Sequence, residues 1–232
     1  MDIAHLAIAL AVLIFSTTAH EAAHALAWAW QGDRTALQQG RATLNPWRHA
    51  DVFWTLLMPV VLFVVSSGAL IFGLARPAPS TLENLPRPAA GTLASIGAAL
   101  ATNLLIALFS ISALVLLRAL APAFVQPESL NAYFIAQLAI VNLLLVAVHI
   151  VFPIAPLDLS KVVRLWLTRR GQELMDAAEP FGYLAVMLLL ALLFAGRAVD
   201  PVFQGIETGF SALFDPDYAR GLVDNLRRAQ AP

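Results

Sequence analysis

The 232-residue chain has no cysteine, only one lysine (Lys161), and only 12% charged residues. The lack of cysteine rules out disulfides and thiolate metal sites, so any metal must be held by His, Asp or Glu. A soluble domain carries about 25% charged and about 45–50% apolar residues. Here 59% of residues are hydrophobic and the mean hydropathy is +0.75. So little polar surface cannot cover a water-soluble globule, which points to a membrane protein. The formal net charge of −1 leaves no basic excess for a nucleic-acid partner. Nor is there an internal repeat of the kind solenoids require.

What the chain does contain is apolar segments of membrane-spanning length, about 20 residues each. The first runs from Ile3 to Trp30 without Pro or Gly and carries Thr17, Thr18, His20, Glu21 and His24 in its second half. Acidic Asp2 precedes it, and no small-residue cleavage site follows it. It is therefore expected to be a retained helix and not a cleaved signal. Gly32 marks its end.

Residues 52–74 are apolar but interrupted by Pro59, Ser66-Ser67-Gly68 and Gly73. A link over 75–90 holds Pro77, Pro79, Pro86 and Pro88 and should be extended or turning. Spanning helices are expected over 91–120 and 130–152, followed by a charged surface helix in 161–179 and a short apolar helix over 181–194. The expected fold is an all-α, polytopic membrane bundle, with an embedded core over 1–196. An amphipathic tail over 197–232 could cap the protein, lie on the membrane or bind a partner.

Basic residues near helix ends favour the cytoplasmic side. Arg34, Arg41 and Arg48 lie in the 33–51 link, and Lys161, Arg164, Arg169 and Arg170 in 159–179, whereas 121–129 has none. The two basic regions should share one side, yet three full crossings between them would separate them. Segment 52–74 is the weakest span. It is predicted to be a re-entrant or broken hairpin that returns to the side it left, its irregular backbone covered by protein or lining a cavity.

The chemistry concentrates in His20-Glu21-Ala22-Ala23-His24. On a helix, His20 and His24 fall one turn apart on one face. Two neutral imidazoles at that spacing can grip one Zn²⁺, with Glu21 placed to act as general base toward a water on the ion. On a soluble helix such a pattern is often just a solvated face. Inside an apolar span each ionisable group costs roughly 2.5–3.5 kcal/mol, and metal ligation compensates for three of them together. A catalytic zinc usually takes three protein ligands. Asp158, just after the break at Pro153-Ile154-Ala155-Pro156, is the leading candidate for the third. His149 is its rival, with an interhelical hydrogen bond as its plainer role. His5 and His49 are not expected to be ligands. Asn103 and Asn142 suit hydrogen bonds between helices, and Asn103 equally suits holding substrate or polarising its carbonyl.

Together these residues resemble the site-2 protease family of intramembrane zinc metalloproteases, in its compact bacterial branch without PDZ or CBS domains. The likeness runs from about His20 to Leu189. Gly32-Asp33 through Gly40-Arg41-Ala42-Thr43-Leu44-Asn45-Pro46 is similar to that branch's G-D-x-T-A…G-R-x-T-L-N-P segment. Residues Phe72-Gly73-Leu74-Ala75-Arg76-Pro77-Ala78-Pro79 are similar to its F-G-W-A-K-P-V-P segment. The resemblance implies a multi-pass protein of a bacterial cytoplasmic membrane that cleaves substrates bearing a transmembrane helix. It also implies one Zn²⁺ per chain, with the aspartate of the family's P-P-L-D-G motif, here Asp158, as third ligand. The chain departs from the family at Leu159 in that motif, at Ala99 and Leu100 ahead of Asn103, and at Ile150 where an asparagine is common. These changes leave the metal set intact but alter the cleft. The alternative is therefore a weakened or inactive relative serving as a membrane scaffold or partner-binding protein.

Overall fold

The computed structural model describes residues 3–66, 71–81, 84–195 and 200–228, and among these there is no β-strand. Helix α1 covers Ile3–Trp30, as expected for a run with no helix breaker, and α2 is a single turn over Thr35–Gln38. A 3-10 turn at Pro46–Arg48 and a π turn at Val52–Leu57 lead into the short α3, Met58–Val65. Then come α4 (Pro88–Leu120), α5 (Leu130–Val151), α6 (Asp158–Arg164), α7 (Arg169–Ala195), α8 (Asp200–Ser211) and α9 (Pro216–Arg228). Helix α4 starts three residues before the expected Gly91 because Pro88 serves as a helix-initiating residue, where its missing N–H costs nothing. The expected surface and apolar helices of 161–194 are instead α6 and the longer α7, whose two halves are bent by 61°.

Helices α1, α4 and α5 are long and apolar enough to cross a membrane. Only 22% of the most apolar stretch of α4 is buried inside the protein. Leu104, Leu105, Leu108 and Phe109 on α4 stand exposed, a surface that lipid and not water would cover. Exposed Trp30, Trp47 and Trp166 suit the amphipathic level of a membrane interface.

Segment 52–74 behaves as a hairpin. Its helical arm, Val52–Val65, is shorter than a span. The expected break begins at Ser66; Ser67 and Gly68 lie outside the described residues. The returning arm is back beside the first at Leu74, whose N–H donates to the Trp54 carbonyl at 3.2 Å. The Thr55 hydroxyl reinforces this by donating to the Leu74 carbonyl at 2.8 Å. Ile71, Phe72 and Leu74 then enter a core with Leu13 of α1, Phe63 of α3 and Leu145 of α5. Gly73 is required there, since a Cβ would lie 2.4 Å from Pro59 Cγ and 2.8 Å from the Trp54 carbonyl oxygen. From Ile71 to Thr81 the chain is in neither helix nor strand.

The bundle has two distinct ends. One gathers Trp28, Ser80, Lys161 and Arg164 around a common cavity. At the other end, α9 packs Tyr218, Leu222 and Leu226 against Leu114, Val125 and Tyr133. The Tyr218 hydroxyl donates to the Val125 carbonyl at 2.8 Å. The Asn225 amide donates to the carbonyls of Pro127 and Ser129. The described part of the amphipathic tail thus caps the bundle at the end away from the HEAAH sequence, while 196–199 and 229–232 lie outside the described residues.

Candidate active site

His20, Glu21 and His24 are buried on the inner face of α1, within one turn of each other. After α5, the break at Pro153–Pro156 reverses the chain through a turn closed by Leu157 N–H donating to the Ile154 carbonyl at 2.9 Å. Helix α7 packs so closely on this turn at Gly182 that a Cβ there would overlap the Ala155 carbonyl oxygen at 1.8 Å. The fully buried Leu157 anchors the turn. Asp158, the first residue of α6, is thereby directed back at α1.

The Asp158 carboxylate is the hub of the cluster. Its Oδ1 lies 2.9 Å from His24 Nε2 and 2.7 Å from Lys161 Nζ. Its Oδ2 lies 3.2 Å from His20 Nε2 and 3.0 Å from His149 Nδ1. The His24 ring is fixed from behind, its Nδ1 2.8 Å from the Ser95 hydroxyl of α4. Despite these distances, both ring nitrogens of His20, Nδ1 of His149 and Oδ2 of Asp158 are buried without an aligned hydrogen-bond partner. Such orphaned polar atoms are costly unless something else satisfies them.

A metal ion fits this requirement. His20, His149 and Asp158 can each offer a ligand atom within 4.8 Å of the others. Ligands bonded at about 2.0–2.1 Å in a tetrahedron stand about 3.3 Å apart, close to the separations between the Asp158 oxygens and the imidazole nitrogens. All the donors are imidazole or carboxylate, as the absence of cysteine demands.

Lys161 adds a fixed positive charge. Burial opposes that charge, but the Asp158 and Glu21 carboxylates outweigh it and raise its pKa. For Asp158, burial works toward protonation, and the neighbouring Lys161 ammonium and imidazoles reverse this and hold it well below the usual carboxylate range. Both groups stay ionised at neutral pH.

Glu21 is set apart from the donors. Its Oε2 accepts the backbone N–H of Ala78 at 2.7 Å. A small pocket beside it is lined by Thr17, His20, Leu74 and His149. Across Pro77 and Pro156, which line both, a larger cavity of about 250 Å³ reaches past Lys161 to Arg164, Asp176 and Glu179. Arg164 and Asp176, paired on its rim, tie α6 to α7.

The other expected residues divide cleanly. Asn142 donates to the Ser16 hydroxyl at 2.8 Å, the interhelical role expected of it. Asn103 is fully buried, neither amide atom has a partner, and it lines neither of these pockets. His5 pairs with Asn225 at the capped end, and His49 places Nε2 2.9 Å from the Thr43 carbonyl oxygen, so neither joins the cluster. His149 stands inside the cluster, its Nδ1 against Asp158 of α6. Reasoning from sequence missed Ser95, Arg41 and the Ala78 N–H as parts of the site. Lys161 did carry a signal, as the only lysine and one helical turn after Asp158.

No protein-family model matches the chain, and no solved structure matches it. It is 32% identical over 211 residues to "Putative zinc metalloprotease YwhC" of Bacillus subtilis (strain 168), a match covering 88% of this chain and 91% of that protein. With that identity over most of both chains, and a buried His/Asp cluster beside Glu21, the protein belongs to the zinc metalloprotease family that YwhC represents.

Proposed function

We propose that the protein is an intramembrane zinc metalloprotease of the site-2 type, hydrolysing peptide bonds in or beside transmembrane helices of other membrane proteins. The observation that carries this reading is the placement of unpartnered imidazole and carboxylate donors, with Glu21 next to them, inside a bundle whose outer surface is apolar. An apolar outer surface suits a substrate that arrives as a helix through the bilayer. The arginine-bearing end of the bundle faces the cytoplasm of a bacterial cell under the positive-inside rule.

His20, His24 and Asp158 would hold one Zn²⁺ per chain, with His149, which groups with His20 and Asp158, as the rival to one of them. When bound, the ion lowers the pKa of water to about 7 and polarises a carbonyl. Glu21 is the general base. The Ala78 N–H holds one of its oxygens, leaving the other to take the proton of the attacking water and later deliver it to the leaving nitrogen. A substrate helix must unwind locally to expose its carbonyl. The segment 71–81 beside Glu21, in neither helix nor strand, is the proposed surface against which an unwound substrate would lie.

The test is to purify the protein in detergent, measure zinc by elemental analysis, and assay a model transmembrane substrate alongside Glu21→Gln. One zinc per chain and cleavage that Glu21→Gln abolishes is the expected result. Stoichiometric zinc without Glu21-dependent cleavage would favour the scaffold alternative, and a protein without zinc would sink both metal readings.

A further inference from the structure

The two imidazoles of α1 are braced unequally. His24 Nδ1 lies 2.8 Å from the Ser95 hydroxyl of α4, the kind of outer partner that fixes a ligating ring. His20 turns Nε2 toward the donor cluster, 3.2 Å from Asp158 Oδ2, and its Nδ1 is buried without a partner. A metal-binding histidine almost always donates its second ring N–H to a carbonyl, a carboxylate or a water.

A layer of buried amides with matching needs lies toward the capped end. Helices α1 and α4 run antiparallel: Ser95 faces His24, while Gly91, one turn earlier on α4, accepts from Gln31, further along α1. Two turns on from Ser95 comes Asn103, so its level on α1 is two turns back from His24, at Ser16. Helix α5 brings Asn142 to the same place, its amide donating to the Ser16 hydroxyl at 2.8 Å. Ser16, Asn103 and Asn142 are all fully buried. Both amide atoms of Asn103 and Oδ1 of Asn142 have no partner.

His20 stands one turn from Ser16 on α1. Helical side chains lean toward the N-terminus of their own helix. His20 therefore leans toward this layer, and Asn103, on the opposed helix, leans toward His20. Between Ser95 and Asn103 the buried face of α4 carries the small Ala99, which leaves room beside the ring. The unmet groups also balance. With Nε2 on the metal side, His20 Nδ1–H is one donor, and Asn103 Oδ1 and Asn142 Oδ1 are two acceptors. A water accepts one such bond and donates two, and buried waters typically make about three.

We propose that Asn103 is a positioning residue for His20: with Asn142 it holds one ordered water that accepts the His20 Nδ1–H and so presents Nε2 to the metal. His20 thus receives through a water what His24 receives from Ser95 directly. The inference rests on the zinc reading above and not on turnover.

The experiment compares Asn103→Val with Asn103→Thr, side chains of one shape that differ by a hydroxyl, in the full chain in detergent. Chelator competition reads zinc affinity, and the melting temperature is read on the metal-free proteins. Asn103→Val should bind zinc roughly 10- to 100-fold more weakly than wild type, as for loss of an outer partner of a ligand. Asn103→Thr should recover part of that loss, with the metal-free melting temperatures of the two variants alike. If Asn103→Val does not fold, Asn103→Ala takes its place in the same comparison. A zinc affinity in Asn103→Val equal to wild type overturns the proposal. So does an Asn103→Thr protein that binds zinc no better than Asn103→Val, because the loss is then one of packing. A recovery matched by a higher metal-free melting temperature marks stability and not ring placement, and overturns it too. Wild-type protein that takes up no zinc refutes the zinc reading itself, and the role of Asn103 with it, before any variant is compared.

Discussion

The backbone N–H of Ala78 donates to Glu21 Oε2 across 2.7 Å, joining the proposed general base to a segment 57 residues further along the chain. That segment is itself held by Arg41, whose guanidinium donates to the carbonyls of Arg76 and Pro77. The His49 carbonyl adds a second hold, accepting the Arg76 N–H at 2.8 Å. The orientation of Glu21 is thus set by polar links in the 33–51 and 71–81 stretches, outside the helix that carries it.

Arg41→Ala should free the 76–78 backbone and let Ala78 drift from Glu21. Small misplacements at a reacting centre cost up to about 100-fold in rate, so kcat on a transmembrane substrate should drop by roughly 10- to 100-fold. Zinc content should match wild type, because Arg41 touches none of the metal donors. Parallel zinc and rate measurements decide it: zinc lost together with activity would contradict the positioning role.

Ser95 acts on the metal through His24. Removing the hydroxyl that fixes His24 Nδ1 should weaken zinc binding by roughly 10- to 100-fold. A chelator competition on the purified Ser95→Ala protein reads this directly. An affinity equal to wild type would show that helix packing alone orients the ring.

Gly73→Ala probes the hairpin. The added methyl meets the Pro59 ring and the Trp54 carbonyl, both on the facing arm. Overpacking of this kind costs about 1–3 kcal/mol, and it should appear as a lower melting temperature in detergent. A melting temperature unchanged from wild type would mean that the two arms separate more easily than their contacts imply.

Asp33 gives a pH dependence outside the membrane spans. Its buried carboxylate accepts the N–H of Thr81 at 2.6 Å, the N–H of Thr35 at 3.0 Å and the Asn84 amide at 3.2 Å, tying the end of α1 to the far side of the 71–81 segment. Burial pushes its pKa up, but these bonds and the Thr35 hydroxyl outweigh it and lower the folded pKa. The unfolded value is about 3.9. The stabilisation is therefore complete above that pH and is lost as the pH falls through the lower folded value. Asp33→Asn should be less stable than wild type at pH 7, and the gap should narrow below about pH 4. Melting curves from pH 3 to 7 test this, and a gap that stays constant with pH would refute the linkage.

Much of the architecture was legible from local pattern. The bounds of α1 follow from a 28-residue run with no helix breaker. The return of segment 52–74 followed from counting crossings between two arginine-bearing links, and the Thr55 to Leu74 bond now fastens it. Helix starts were less legible: α4 begins at Pro88 because proline opens a helix as readily as it breaks one. The place of His149 was illegible for a different reason. Its depth relative to His20 depends on how α5 packs against α1, which no single-helix pattern encodes.

By itself, the sequence determined that the chain is a membrane protein, that any metal must sit on imidazoles and carboxylates, and that His20, Glu21 and His24 share one helix face. These are consequences of composition and of 3.6-residue periodicity, which act within a segment. Only the tertiary structure decided that Asp158 turns back onto that face, that Ser95 braces His24 from 71 residues away, and that His149 enters the same pocket as Glu21. Those outcomes depend on the reversal at Pro153–Pro156 and on the relative depth of α1, α4 and α5. Packing between helices sets that register, and the spacing of residues along any one of them does not record it.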